Sequence, residues 1–498
     1  MSKEELILKN TQSIPISSIP EMDFGFFRDF LIGHVAKGAR LNALFARPDG
    51  DGEYLLTAIL AFDKSGELAA ASARVWESYT ALTPEMPQAH MFEREIAETY
   101  GIVPKGHPCL NPVRFIKHGR TGTDLPIIGV TDYYRIEGEE IHEVAVGPVH
   151  AGVIEPGHFR FQCNGEKVLN LEISHGYQHR GVESALAEGL GKKTIPILET
   201  VAGDTTIGHA TAGCMALEAI CGVIVPERAE AIRAVALEME RLANHAGDLG
   251  YLAQDIGYLP TSAFCGRLRG DFLNLTQSVC GNRFGRGLMR LGGVGFDIGD
   301  GFAEDLALRL EKAGEELKGA VDLLWGKPSV LSRIENTGVV SHADCKALGL
   351  TGPPARACGE KIDVRANFPA GAYSKIKTPI ASWNTGDVFA RAKIRWLEAE
   401  SSVKMAVSLL RGLPAGQTLV QPPKLKPDMF AVALVEGWRG EIVHAVTTGP
   451  DGAILHYKII DPSFHNWTGL ASAMRGAEIS DFPLCNKSFN LSYCGFDL

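Results

Sequence analysis

No two of the ten cysteines stand as C-x-x-C, and no apolar run nears the roughly 18 residues a membrane span requires. The first absence removes the spacing that a zinc site or iron–sulfur cluster held by this chain alone would need. Scattered cysteines in a reducing compartment are mostly small buried hydrophobes. Positive charge is also in deficit, with 49 Lys and Arg against 59 Asp and Glu, a net of -10. That balance argues against nucleic acid or an anionic membrane surface as the main partner. The opening MSKEELILKN has no charged-then-apolar signal pattern. Gly293-x-Gly295 lacks a third glycine and a β-α-β frame, so it is no dinucleotide fingerprint. The expectation is a cytoplasmic chain with no signal peptide and no transmembrane helix, which reaches any membrane through partners.

What is present is a long chain of ordinary globular make-up: 498 residues, 45% hydrophobic and 22% charged, enough for two or three domains. Residues 1–120 read as a small α+β domain. An amphipathic run at Phe24 to Val35 precedes strand-like segments at Leu41 to Ala46, Tyr54 to Phe62 and Leu68 to Val75, with a helix at Met91 to Tyr100 stopped by Gly101. Residues 121–140 lack a sustained period and read as a linker into a domain spanning 141–498.

That second region begins with a concentration of histidine. His150, His158, His175, His179 and His209, five of the fifteen, fall between Gly147 and His209. Two alternating segments, His158 to Cys163 and Lys167 to Ile173, flank Asn164-Gly165, a strong hairpin signal because both residues tolerate positive φ. The chain then turns helical. Val225-Pro226-Glu227 opens a helix on which Ile232, Val235, Met239, Leu242, Ala246 and Leu249 recur at helical spacing. Glu238, Arg241 and His245 share another face of it. They are either a solvated salt-bridged face or, given the small apolar residues around them, buried charges able to move protons. Further helices are predicted over Arg267 to Cys280 and Phe302 to Leu324, and a second hairpin over Glu441 to Thr447 and Ala453 to Ile460. Arg267, Arg269, Arg283, Arg286 and Arg290 make a locally basic stretch that reads equally as a docking surface or as arginines paired with nearby acids.

Several motifs carry a family resemblance. GPVH at Gly147, EPGHFRF at Glu155, GYQHRGVE at Gly176, the helix VPERAEAIRAVALEMERLANH and the E-x-x-R-G-E at Glu436 resemble the large subunit of energy-converting [NiFe] hydrogenases and its homologue, the quinone-pocket subunit of respiratory complex I. ERE-x-x-E-x-x-G-I with the following GHP at Gly106 is similar to the small complex I subunit that docks beside it, so the chain reads as a fusion of the two. The resemblance implies an α+β domain followed by a mainly α, helix-bundle, hydrogenase-large-subunit-like domain with flanking β-hairpins.

The departures are as informative. The nickel site of the family uses two pairs of thiolates. They fall here on Ala202 and Thr205, and on Ser463 and Asn466, none of which supplies a thiolate. The resemblance therefore implies no nickel chemistry and no metal bound by this chain. The quinone-facing histidine of complex I falls on His158, but its quinone-facing tyrosine falls on Gly203. The pattern is most similar to the cysteine-free, hydrogenase-4-like relatives. It implies electrons arriving from a [4Fe-4S] cluster on a small partner subunit and an acceptor, a quinone among the candidates, held by His158 with Asp204 and His150. His179, Arg180, Glu183, Glu238, Arg241, His245, Asp363 and Arg365 would line the pocket or relay protons. Antiporter-like membrane subunits and a ferredoxin-like or NADH-input module are the further partners implied, with the chain peripheral on the cytoplasmic face of the inner membrane. A scaffold that kept the fold and lost the chemistry is the rival reading.

Overall fold

A computed structural model describes residues 6–50, 52–116, 127–150 and 154–498. Ser13–Pro15 (β1) is followed by helix Phe24–Ala36 (α1), whose N-terminus is capped by Asp23 accepting the Gly25 N–H. Three strands, Arg40–Pro48 (β2), Tyr54–Phe62 (β3) and Glu67–Val75 (β4), form an antiparallel meander with β3 central. Nearly every residue of these strands is buried, because helices cover them and the second region lies against them. Helix His90–Tyr100 (α2) ends at Gly101 with φ 67°, a left-handed cap that glycine adopts without a Cβ clash.

Ile141–Val146 (β5), His158–Asn164 (β6) and Lys167–Ser174 (β7) form a second sheet with β6 in the middle. Its tight turn falls one residue later than the sequence suggests. Asn164 pairs with Lys167, so Gly165 and Glu166 make the turn, with Gly165 at φ 55° and a bulge at Gln162/Cys163. After Val182–Ala187 (α3) comes a bundle of long helices. They are Thr206–Cys221 (α4), Glu227–Asp255 (α5), Leu259–Cys280 (α6), Asp300–Trp325 (α7) and Val388–Arg411 (α8). Helix α5 is buried on nearly all sides, because alanines at 231, 234, 236, 243 and 246 let α6 and α8 approach closely.

Helices α4 and α8 carry no clean apolar stripe. In α8 the buried residues include Arg391, Arg395 and Glu398, so polar side chains interrupt the helical period. Strands Met429–Gly437 (β8), Gly440–Thr448 (β9) and Ile454–Ile460 (β10) follow, then helices Pro462–Met474 (α9), Phe482–Phe489 (α10) and Tyr493–Asp497 (α11). The fold is thus mixed α/β, with antiparallel sheets around a helix bundle.

The last sheet is ordered β10-β9-β8-β1, so the N-terminal strand completes it, with Ile14 opposite Phe430. Arg40 reaches from β2 to Asp63 and to Glu441 of β9, at 2.7 and 2.9 Å. One continuous apolar core runs through both regions.

Candidate functional site

The predicted residues divide into four places. The first is a buried ionic network along α5. Both carboxylate oxygens of Glu238 lie 3.0 Å from Arg365 Nη1, and they also accept from Tyr373 Oη and Ser402 Oγ at 2.5 Å. Arg365 makes two further bonds to Asp363, at 2.7 and 3.0 Å. Arg241 donates to the carbonyls of Glu436 and Gly437. His245 Nε2 meets Glu398 at 2.9 Å, and Arg356 joins Glu398 to Glu436 and Ile362. All of these side chains are buried, which removes the solvated-face reading of Glu238, Arg241 and His245.

Burial works to raise the Glu238 carboxyl, but Arg365 and then Arg241 bring it down to about 2. Burial takes His245 the other way, to about 4 despite Glu398, so at neutral pH His245 is an uncharged donor. The sequence suggested Glu238, Arg241, His245, Asp363 and Arg365. It gave no sign of Glu398, Arg356 and Tyr373, each of which sits on a distant segment.

The second place is the loop 202–205. Asp204 is clamped by Arg439 through two bonds of 2.6 and 2.7 Å, yet 36% of its side chain stays exposed. Burial of its surroundings pushes the carboxyl up, and Arg439 more than offsets that. Asp204 is therefore an ionised acceptor at neutral pH. Among the described residues, a Cβ built on Gly203 meets nothing within 4 Å, so the loop is open there.

Behind Asp204, Glu240 accepts the Ile207 and Gly208 N–H groups at the start of α4, and burial lifts its carboxyl to about 8. The four positions that the resemblance assigns to thiolates are packed or bonded within the protein. Ala202 is fully buried, and Thr205 Oγ1 accepts from Trp438 and Arg439. Ser463 Oγ accepts the Ser492 N–H at 2.8 Å, and Asn466 bonds both ways with the Thr351 backbone. A methyl group, two hydroxyls already bonded to the protein and a saturated amide do not fit a soft metal.

The third place is the histidine hairpin. His158 opens β6 opposite Ser174, half-buried, with Nδ1 lacking a hydrogen-bond partner among the described residues; burial and then Arg160 lower its pKa. His150 Nδ1 lies 3.0 Å from the Gly147 carbonyl. Residues 151–153 of this turn lie outside the described residues. No hydrogen bond among the described residues joins His158 to Asp204. The C-terminal helix links the two loops instead. Glu155 accepts the Cys494 N–H, and Arg180 donates to the carbonyls of Cys494 and Val201.

His179 and Glu183 belong to a fourth place. They line a cavity of about 100 Å³ with Glu95, Arg114 and Lys458, where the N-terminal region meets β10. His179 Nδ1 bonds the Asp497 carbonyl at 2.7 Å, and Lys458 sits between Glu95 and Glu183. Of the basic stretch, Arg267 pairs with Asp271 and Glu316.

Comparisons with known proteins agree with this architecture. The model of the family "Respiratory-chain NADH dehydrogenase, 49 Kd subunit" matches residues 255–429. The chain is 33% identical over 350 residues to the carbon monoxide-induced hydrogenase of Rhodospirillum rubrum, covering 70% of this chain and 97% of that protein. It is 27% identical to formate hydrogenlyase subunit 5 of Escherichia coli K12, over 97% of this chain and 88% of that one. Among solved structures, a chain of the membrane-bound sulfane sulfur reductase, an archaeal respiratory membrane complex, superposes with a TM-score of 0.67 at 27% identity. That match covers 73% of this chain and all of the other.

Proposed function

We propose, since the chain belongs to the family that joins the large subunits of membrane-bound hydrogenases to the 49-kDa subunit of respiratory-chain NADH dehydrogenase, that it is the acceptor-site subunit of a complex I-like, energy-converting oxidoreductase. Electrons arrive from a [4Fe-4S] cluster on a small partner subunit. They pass to a small acceptor, a quinone in the first instance, coupled to ion movement by antiporter-like membrane subunits. The acceptor sits over the open backbone of Gly203, beside the Asp204–Arg439 pair. The observation that carries this is that pair: a carboxylate held ionised by a guanidinium, left partly open beside a glycine whose Cβ position is unobstructed.

Arg439 and Asp204 together offer donor and acceptor edges to a polar headgroup. His158 supplies a neutral-range group for proton delivery. Nickel-based hydrogen activation has no place in the scheme, because the four ligand positions carry no thiolate.

A second reading, a structural subunit that couples its partners without binding an acceptor, is favoured by the closed packing at Ala202, Thr205, Ser463 and Asn466. Gly203→Phe separates the two. A Cβ fits at this position, so folding should survive, and recovery of the iron–sulfur partner with the variant checks assembly. If the acceptor lies there, reduction of decylubiquinone by the tagged, detergent-purified complex should fall about tenfold or more. Unchanged reduction would remove Gly203 from the site. A wild-type complex that carries its iron–sulfur partner yet reduces no quinone would leave the structural reading.

A further inference from the structure

The hairpin of β8 and β9 turns on two residues, Trp438 and Arg439, because Gly437 pairs with Gly440. Two-residue hairpin turns ordinarily face water and favour Asn-Gly. This one carries two bulky side chains and is buried, with Trp438 1% and Arg439 4% exposed. The backbone around the tip is shaped to admit it. Gly440 takes φ 135°, and a Cβ on Gly352 would meet the Arg439 carbonyl oxygen at 2.2 Å and Gly440 Cα at 2.4 Å. Burying a cation at a turn is costly unless its donors are met.

They are met on the loop of Asp204. Arg439 Nη1 and Nη2 hold the Asp204 carboxylate, Nη1 also reaches Thr205 Oγ1 at 3.1 Å, and Nε donates to the Asn490 carbonyl at 2.6 Å. The guanidinium lies over the Trp438 ring, 3.9 Å from its centroid, and Arg395 lies 5.7 Å from the same centroid. The indole edge serves the loop as well. Trp438 Nε1 donates to the Asp204 carbonyl at 3.1 Å and to Thr205 Oγ1 at 3.0 Å, and Asn244 of α5 donates to that carbonyl at 3.0 Å. One rigid side chain thus fixes the cation by its face and the backbone of the anion by its edge.

The surroundings work against the pair. Burial favours the neutral form of Asp204, and the carboxyl groups of Glu240, Asp248 and Asp461 stand close enough to couple to it. Arg439 offsets both from a position that its own flexible stem does not fix. The ring beneath it does.

We infer that Trp438 is the positioning residue of the acceptor site: its face locks the Arg439 guanidinium and its N–H locks the backbone of Asp204 and Thr205, so that the pair meets a polar headgroup already in place. The inference rests on the acceptor reading above and adds the residue that sets its geometry. Trp438 itself, 1% exposed, touches no acceptor and carries neither proton nor electron. What it supplies is order, which lowers the cost of arranging the site when the acceptor binds.

The test uses the detergent-purified complex with dithionite as donor and decylubiquinone as acceptor. Recovery of the iron–sulfur partner, and reduction of its cluster read by its paramagnetic signal, check that each variant is assembled. In Trp438→Leu, which loses face and N–H, the KM for decylubiquinone should rise about tenfold or more while kcat holds. The acid limb of kcat/KM should move up by about one pH unit, because a loosened Arg439 lets burial raise the Asp204 carboxyl. Trp438→Phe keeps a ring face and should show the same two changes at smaller size; it decides where the leucine variant does not assemble. Wild-type KM and acid limb in the deciding variant would overturn the role of Trp438. A wild-type complex that reduces no decylubiquinone defeats the acceptor reading instead. Positioning is then decided by the 13C carboxyl titration of Asp204 in the full chain, assigned by its loss in Asp204→Asn. An upward shift in the Trp438 variants upholds it, and an unmoved titration breaks it.

Discussion

Glu238 has its charge set by partners on three other segments: Arg365, Tyr373 and Ser402. Its folded pKa near 2 lies below the ordinary carboxyl value of 4.5. The native state therefore binds fewer protons than the unfolded chain between those values. Its contribution to stability is complete above about pH 4.5 and is lost as pH falls toward 2. Glu238→Gln should cost about 3–5 kcal/mol at pH 7, since it leaves Arg365 and Arg241 short of a charge in a dry interior. Urea unfolding of the two proteins should converge as the pH falls below 4.5; a difference constant from pH 7 to pH 3 would show that charge is not what Glu238 supplies. The spacing of Glu238, Arg241 and His245 on one helix face was legible because it is local. Their partners Glu398 and Arg356 were not, because nothing local marks which charge a buried charge will meet.

Helix α8 shows the same limit for an element. Its start is marked by Asp387, whose side chain accepts the Ala390 and Asn336 N–H groups at 2.8 Å and the Thr385 hydroxyl at 2.7 Å. Asp387→Ala should lower stability by about 1–2 kcal/mol through the lost cap, with the Asn336 amide adding to that, and protection from hydrogen exchange should fall first at 388–391. Unchanged exchange there would show the cap to be redundant. Asp387 standing before Val388 is the local mark of that cap. The helix after it has no such mark, because Arg391, Arg395 and Glu398 occupy its buried side. Hairpins fared better: the second, β9 and β10, needs only alternation and a glycine-rich turn, and both are written within twenty residues.

Across the whole molecule, the two regions are held together by a strand and by charge. Residues 13–15 complete the sheet of the second region, and Arg40 ties Asp63 to Glu441 with only 13% of its side chain exposed. Arg40→Ala should leave Glu441 buried beside Asn42 without its cation, and limited proteolysis should then cut the first region faster than the second. Equal rates would mean that the shared apolar core, not the ion pair, sets the coupling. No helix among the described residues is long and apolar enough to cross a membrane.

By itself the sequence determined the elements with local periods and the family to which the chain belongs, since these depend on residue identity and short spacing. The tertiary structure alone decided that Asp204 is clamped by Arg439, that Ser463 and Asn466 bond the protein's own backbone, and that His209 and His444 meet across 235 positions of chain. Each pairs polar groups that packing takes wholly or partly out of water. The need for a partner is set by burial, and the choice of partner by which distant segments the packed core brings within 3 Å.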